Sequence, residues 1–315
     1  MNRRDFLKTL GYTAGATLLN GCSLPLFGPQ FPDLPAQRRQ IWVWSDSHIG
    51  RMVDGKDGGE WAGLSVRDLL ANVGTPDYAL VLGDITHGGK LEAFQTYATL
   101  RNQSGIARWY ELVGNHDYKG IETGLYPKYV RPEERYVLCD GNLVWIFLSA
   151  ERGRAAGILN EPTRAWLPKV LAKHQDKNIV VCSHQVIAHT VRYSDPQADF
   201  ETVLHPTDWI AELLKTYRVD LWLCGHEHGP KRDRNQIRRV GHTTFINIAS
   251  LSHLYGTQAC NSFVLEMTAG DKEIAARCRH HDREQYIERF SVRVPLPRPL
   301  TFASQPRIID VHRKA

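Results

Sequence analysis

Short apolar runs that stop abruptly at polar residues recur along this chain. Residues 41–44 lead into Ser45-Asp46, 78–82 into Gly83-Asp84, and 110–113 into Gly114-Asn115. Residues 179–181 lead into Cys182-Ser183-His184, and 221–223 into Cys224-Gly225-His226. Apolar runs this short, without polar alternation, fit strands buried on both faces. Between them, the stretches 64–71, 91–101, 163–173 and 207–217 carry apolar residues at helical spacing. Alternating strands and helices predict an α/β architecture with a largely parallel sheet. Segments 135–139 and 143–149 flank Asp140-Gly141, a hairpin signal that adds antiparallel strands. Further strands are predicted over 243–248, 262–267, 273–278 and 286–294, enough for a second sheet.

Composition sets the outer limits. The chain has 315 residues, 42% of them hydrophobic, with eight Trp, which suits one catalytic domain carrying extensions at its ends. The body contains no run of 18 apolar residues that could span a bilayer. Residues 22–39 are rich in Pro and Gly and read as a linker, 40–294 as the domain, and 295–315 as an extension. With Pro297, Pro299 and Pro306, that extension is expected to cross the surface without regular structure. Net charge is +5, and part of it sits in Arg3, Arg4 and Lys8 near the start. No Lys/Arg stripe with interleaved aromatics is present, so nucleic acid is not an expected partner. Arg232, Arg234, Arg238 and Arg239 read as a solvated hairpin. Cys182 and Cys224 lie inside apolar runs and read as buried thiols, whereas Cys139, Cys260 and Cys278 are left undecided.

The segment Arg3-Arg4-Asp5-Phe6-Leu7-Lys8, followed by a modestly apolar stretch to Asn20, resembles a twin-arginine export signal over residues 1–21. Leu19-Asn20-Gly21-Cys22 resembles a lipoprotein cleavage box, which would make Cys22 a lipid anchor. These resemblances imply the twin-arginine machinery as a partner. They also imply an exported protein, periplasmic or anchored at the cell surface.

Ligands gather at the carboxyl ends of strands in open α/β sheets, and all the polar caps fall there. The caps contribute two carboxylates, one amide and four imidazoles. This oxygen and nitrogen set, free of thiolate, suits Mn, Fe, Zn, Co or Ni. Asp46-Ser47-His48, Gly83-Asp84, Gly114-Asn115-His116-Asp117, His184 and Gly225-His226-Glu227-His228 resemble, in order, the motifs of the calcineurin-like metallophosphoesterase superfamily. Gly157-Ile158-Leu159 with Trp166-Leu167 is a softer echo of the loop and helix before the fourth motif. The resemblance covers about residues 40–250. It implies a four-layer sandwich of two mixed β-sheets flanked by helices.

For the site, the resemblance implies two metal ions. Asp46, His48, Asp84 and His228 would hold one, and Asp84, Asn115, His184 and His226 the other, with Asp84 bridging. Two divalent ions against two carboxylates and a bridging hydroxide leave about one net positive charge, which favours a phosphate. The implied activity is hydrolysis of a small phosphomonoester or phosphodiester by in-line attack of that hydroxide. His116 would be the general acid, with Asp117 accepting its other ring N–H. Purple acid phosphatases in this superfamily place an iron-binding tyrosine where this chain has His87. A tyrosinate-iron centre is therefore not expected, and the reading moves toward the cyclic-nucleotide phosphodiesterase and general phosphatase branches. His87, His189, Arg154, Arg192 and His253 are candidates for touching substrate, although His87 is expected chiefly to pack or face solvent. His280 and His281 are expected to face solvent. The rival class is a non-catalytic binding protein on the same fold, and a nuclease is a third reading.

Overall fold

A computed structural model describes residues 31–149, 157–191, 194–197, 200–229, 236–252 and 260–313. The expected export signal, Cys22, Arg154, Arg192 and His253 lie outside the described residues. From Asp33 onward the chain is one compact unit.

Alternation within the strands creates the layers. Ile41 and Val43 of the strand Arg38–Trp44 point into one core, while Trp42 and Trp44 point into another on the opposite face. In Leu143–Leu148, Leu143, Trp145 and Phe147 face the first core, and Val144, Ile146 and Leu148 a third. The first core therefore fills the gap between two sheets. The other two lie under helices, Gly58–Asn72 and Leu91–Gln103 on one side, Glu161–Lys173 and Thr207–Thr216 on the other. This is the four-layer sandwich that the resemblance implied. Trp166 and Leu167 are ordinary packing residues of the third core.

The first sheet runs in the order Gln285–Tyr286, Glu273–His280, Asn261–Thr268, Arg38–Trp44, Tyr78–Val81, Trp109–Glu111, with Val292–Pro295 also pairing on Glu273–His280. The second runs Ile237–Val240, Thr243–Asn247, Leu221–Cys224, Asn178–Ser183, Leu143–Leu148, Glu133–Asp140, Arg307–Arg313. Both sheets are mixed. Arg38–Trp44, Tyr78–Val81 and Trp109–Glu111 are mutually parallel, and so are Leu143–Leu148, Asn178–Ser183, Leu221–Cys224 and Thr243–Asn247. The predicted hairpin joins Glu133–Asp140 to Leu143–Leu148. Five motif strands thus end on one side of the sandwich, three carrying their polar caps from the first sheet and two from the second.

Both boundaries of the body differ from expectation. Leu34 already packs on the central core, ahead of the domain start expected near Gln40, and the strand read over 41–44 starts at Arg38. The tail expected to lie without regular structure buries Leu296 and Leu300, then forms the edge strand Arg307–Arg313 on Glu133–Asp140. The physical reason is a polar clasp. Asp140, fully buried, takes Arg39 Nε at 2.7 Å and the Ala303 N–H at 2.8 Å, and Asn142 accepts from the Thr301 N–H at 2.9 Å. Prolines delay the strand until Arg307 but leave the tail's carbonyls free to bond.

His280 and His281 also depart from expectation, since both are buried. Asp68, on the helix Gly58–Asn72, lays a buried carboxylate over the sheet, and such a charge requires partners. Arg279 Nε donates to it at 2.8 Å, and His281 Nδ1 lies 2.7 Å from it. His281 Nε2 lies 2.7 Å from Ser262 Oγ, which also accepts from Trp42 Nε1 at 2.8 Å. The five described cysteines carry free thiols, and all but Cys139 are buried. Arg238 and Arg239 are exposed on a hairpin strand, as expected. No helix among the described residues is long and apolar enough to cross a membrane.

Candidate metal centre

All seven ligand candidates meet at the ends of the motif strands. Asp46, His48, Asp84, His184 and His228 are buried, and Asn115 and His226 are partly exposed. The group Asp46, His48, Asp84 and His228 and the group Asp84, His184 and His226 each bring ligand atoms within 4.8 Å of one another, and they share Asp84. Asn115 Oδ1 completes the second group, 3.0 Å from both His184 Nε2 and His226 Nδ1.

Local backbone conformation puts them there. Asp46, His48, Asp84, His226 and His228 all have positive φ, between 47° and 71°. That region costs a side-chain-bearing residue energy and persists where the surroundings over-determine it. The motif glycines allow the loops to close up. A Cβ on Gly114 would lie 2.1 Å from Asp84 N, and one on Gly225 would lie 2.0 Å from Ser45 Oγ. Ser250 Oγ, bonded to the Asp46 carbonyl at 2.7 Å, ties the Asp46 turn to the other sheet.

The donor chemistry fits a cation. His48 Nε2 and His228 Nε2 face each other at 3.0 Å, and the fully buried Asp46 Oδ1 has His228 Nε2 at 3.3 Å as its nearest charged partner. His184 Nδ1 lies 2.7 Å from the Leu82 carbonyl, which takes the Nδ1 proton and leaves Nε2 as the nitrogen turned toward Asn115 and Asp84. Burial alone would raise the Asp46 carboxyl, yet the charge of His228 holds it down to about 2. Asp84 is likewise held well below the usual carboxylate range, chiefly by His184 against the effect of burial. Burial, followed by the charge of His184, drops His226 to about 3. His184 goes the other way: with no cation between them, Asp84 pushes it up to about 9 against burial, and a cation there would take the place of the Nε2 proton. Carboxylate oxygens and imidazole nitrogens converging this closely in a buried place are what a metal ion satisfies.

His116 stands beside the cluster, half-buried, its ring 4.8 Å from that of His48 and its backbone N–H donating to Asp84 Oδ1 at 2.8 Å. Asp117 does not serve His116 as the sequence suggested. Its buried carboxylate accepts from Ile85 N at 3.1 Å, Thr86 N at 2.8 Å, Thr86 Oγ1 at 2.9 Å and Gly114 N at 3.2 Å, so it braces two motif loops together. His87 is not mere packing, because it touches both His48 and His116. Burial, then the charges of His116 and Arg51, lower its pKa. His189 is exposed and belongs to none of the ligand groups among the described residues. Sequence reasoning missed Thr86, Ser250 and Arg51, an exposed cation whose charge reaches His87. Position two or three residues after Asp84 and His48 was the available signal for Thr86 and Arg51.

The two donor groups sharing Asp84 form a buried cluster that could hold metal ions. Residues 39–230 match the calcineurin-like phosphoesterase family, and the chain belongs to it. A probable glycerophosphodiester phosphodiesterase of Arcobacter nitrofigilis is 28% identical over 159 residues, 49% of this chain and 57% of that relative. The chain thus spans little more than half the length of the curated relative it matches. A purple acid phosphatase from yellow lupin seeds shares the fold, with a TM-score of 0.57 and 14% identity over 83% of this chain and 54% of that one.

Proposed function

We propose that this protein is a two-metal hydrolase of small phosphate esters, with diesters preferred. The observation that carries it is the pair of donor groups sharing Asp84, whose ligand atoms lie within 4.8 Å of one another in each group. Asp46, His48, Asp84 and His228 would hold one ion, and Asp84, Asn115, His184 and His226 the second. Bound there, the metals supply Lewis acidity toward the phosphate oxygens and lower the pKa of bound water. The preference for diesters rests on the likeness to the probable glycerophosphodiester phosphodiesterase.

The chain's own residues do the rest. Asp84, clamped through the His116 N–H, keeps the two ion positions in register. Asn115 contributes an oxygen without adding negative charge, which preserves a net positive field for a phosphate. His116, half-buried at the edge of the cluster, delivers a proton to the leaving oxygen through its ring. Ser47, Thr86 and Asp117 hold the loops closed beneath it, with Ser47 Oγ donating to the Ile85 carbonyl at 2.9 Å.

The test is Mn2+-loaded protein against glycerophosphodiesters, 3′,5′-cyclic nucleotides, bis(p-nitrophenyl) phosphate and p-nitrophenyl phosphate. Diesters should exceed the monoester in kcat/KM by about tenfold or more, a difference of about 1.4 kcal/mol in transition-state stabilisation. Bound metal with no hydrolysis of any ester would make the chain a binding protein. His116→Ala should slow esters of alkyl alcohols far more than nitrophenyl esters, because a good leaving group needs no proton. Equal slowing of both would remove the acid role.

A further inference from the structure

His87 is a half-buried imidazole outside the seven-residue set, yet it touches two residues that the proposed chemistry needs. Its Nδ1 lies 3.2 Å from His48 Nδ1. Its ring stacks on that of His116, with centroids 4.6 Å apart and planes inclined by 21°. His48 itself is fully buried. The other nitrogen of His48, Nε2, faces His228 Nε2 at 3.0 Å, Asp84 at 3.7 Å and Asp46 at 3.8 Å.

A neutral imidazole has one lone pair and one N–H. As a ligand, His48 turns the Nε2 lone pair toward the carboxylates and the facing histidine, which leaves the proton on Nδ1. A buried N–H without an acceptor is costly, and in metal sites the free ring N–H of a ligating histidine is almost always held by an oxygen or a water. Here the neighbour of Nδ1 is the Nδ1 of His87. The geometry points to His87 as the positioning residue of the centre: it accepts the His48 Nδ1–H, fixing the tautomer and ring plane of that ligand. Its flat face meanwhile sets the plane in which His116 lies. This assignment rests on the proposed function, since it takes His48 to be a metal ligand.

Two substitutions separate the two contacts. His87→Asn keeps an acceptor near the position of Nδ1 and loses the stacked ring. His87→Phe keeps the ring and loses the acceptor. Mn2+ affinity, read by electron paramagnetic resonance of free Mn2+ rather than by turnover, should fall about 10- to 100-fold in His87→Phe and stay within about threefold of wild type in His87→Asn. The ratio of alkyl-ester to nitrophenyl-ester hydrolysis, which reports on His116, should shift in His87→Asn and hold in His87→Phe. Metal-free samples of both should melt within a few degrees of wild type, and if His87→Phe fails to fold, His87→Leu carries the same affinity comparison. Equal affinities in all three proteins would overturn the assignment, and so would an equal loss in both variants. A third Mn2+ equivalent that disappears in both would also overturn it, by making His87 a ligand. Because affinity is measured without turnover, a chain that binds Mn2+ but hydrolyses nothing overturns the proposed function and leaves His87 to be judged on the binding data.

Discussion

Asp117→Asn tests whether Asp117 serves the fold or the chemistry. The carboxylate accepts two hydrogen bonds on each oxygen, from Thr86 N and Thr86 Oγ1 on Oδ1 and from Ile85 N and Gly114 N on Oδ2. An amide keeps one acceptor oxygen, so the bonds from Thr86 survive. Its NH2 group then confronts the Ile85 and Gly114 N–H groups, donor against donor, in a fully buried place. Two buried N–H groups left facing a donor, at about 1–3 kcal/mol each, put the loss at about 2–6 kcal/mol. That is a large part of a typical total of about 5–15 kcal/mol. Urea unfolding of metal-free protein should show the midpoint falling at unchanged m. His116→Ala, which removes a half-buried side chain, should leave the midpoint nearly in place. If Asp117→Asn kept its stability within about 1 kcal/mol while selectively losing hydrolysis of poor leaving groups, the bracing role would be refuted. Asp117 would then act on His116, as its place in the motif suggests.

Gly225→Ala should weaken metal binding by about tenfold or more, because its Cβ would sit 2.0 Å from Ser45 Oγ and 2.9 Å from Asp46 Oδ2, and calorimetric titration with Mn2+ reads this directly. Unchanged affinity would mean that the turn relaxes without moving Asp46. Leu300→Ala should destabilise the body by about 2–5 kcal/mol in urea, since the side chain is fully buried in the central core; a loss under about 1 kcal/mol would show that the tail is a dispensable strap. The Asp68 cluster should make stability fall with acid. Burial depresses His281, while Arg279, followed by His281, holds Asp68 well below the carboxylate range against burial. Folded-state pKa values below the unfolded ones mean stability that is present above about pH 6.5 for the histidine and about pH 4 for the carboxylate, and lost as pH falls. The melting temperature of metal-free protein should drop between pH 7 and 5 more steeply in wild type than in His281→Gln, and parallel curves would contradict this.

The seven ligand candidates were legible in the sequence because they lie in short polar motifs that follow apolar runs and resemble those of a known family, and such runs declare both strand and strand end without reference to the rest of the chain. Local pattern also sufficed for the four longer helices and for the hairpin around Gly141, but not for the short helices Tyr118–Glu122 and Leu125–Tyr129. Roles assigned by neighbourhood along the chain fared worse. Asp117 follows His116 by one position, yet its carboxylate bonds the turn after another strand, across a distance only the folded sheet closes. His281 reads as one of two polar histidines near a strand end, and it is buried because Asp68, more than 200 positions earlier, is brought above it by a helix. The tail looked unstructured because its prolines leave no strand between Pro295 and Arg307. Its order comes from Asp140 and Asn142, which offer acceptors that no local reading of residues 295–315 contains. His87 received its importance the same way. The sequence determined which residues could bind a metal, since ligand chemistry is a property of side chains; the tertiary structure decided which nitrogen of each ring faces inward and what holds it there, since hydrogen-bond partners are set by packing between distant segments.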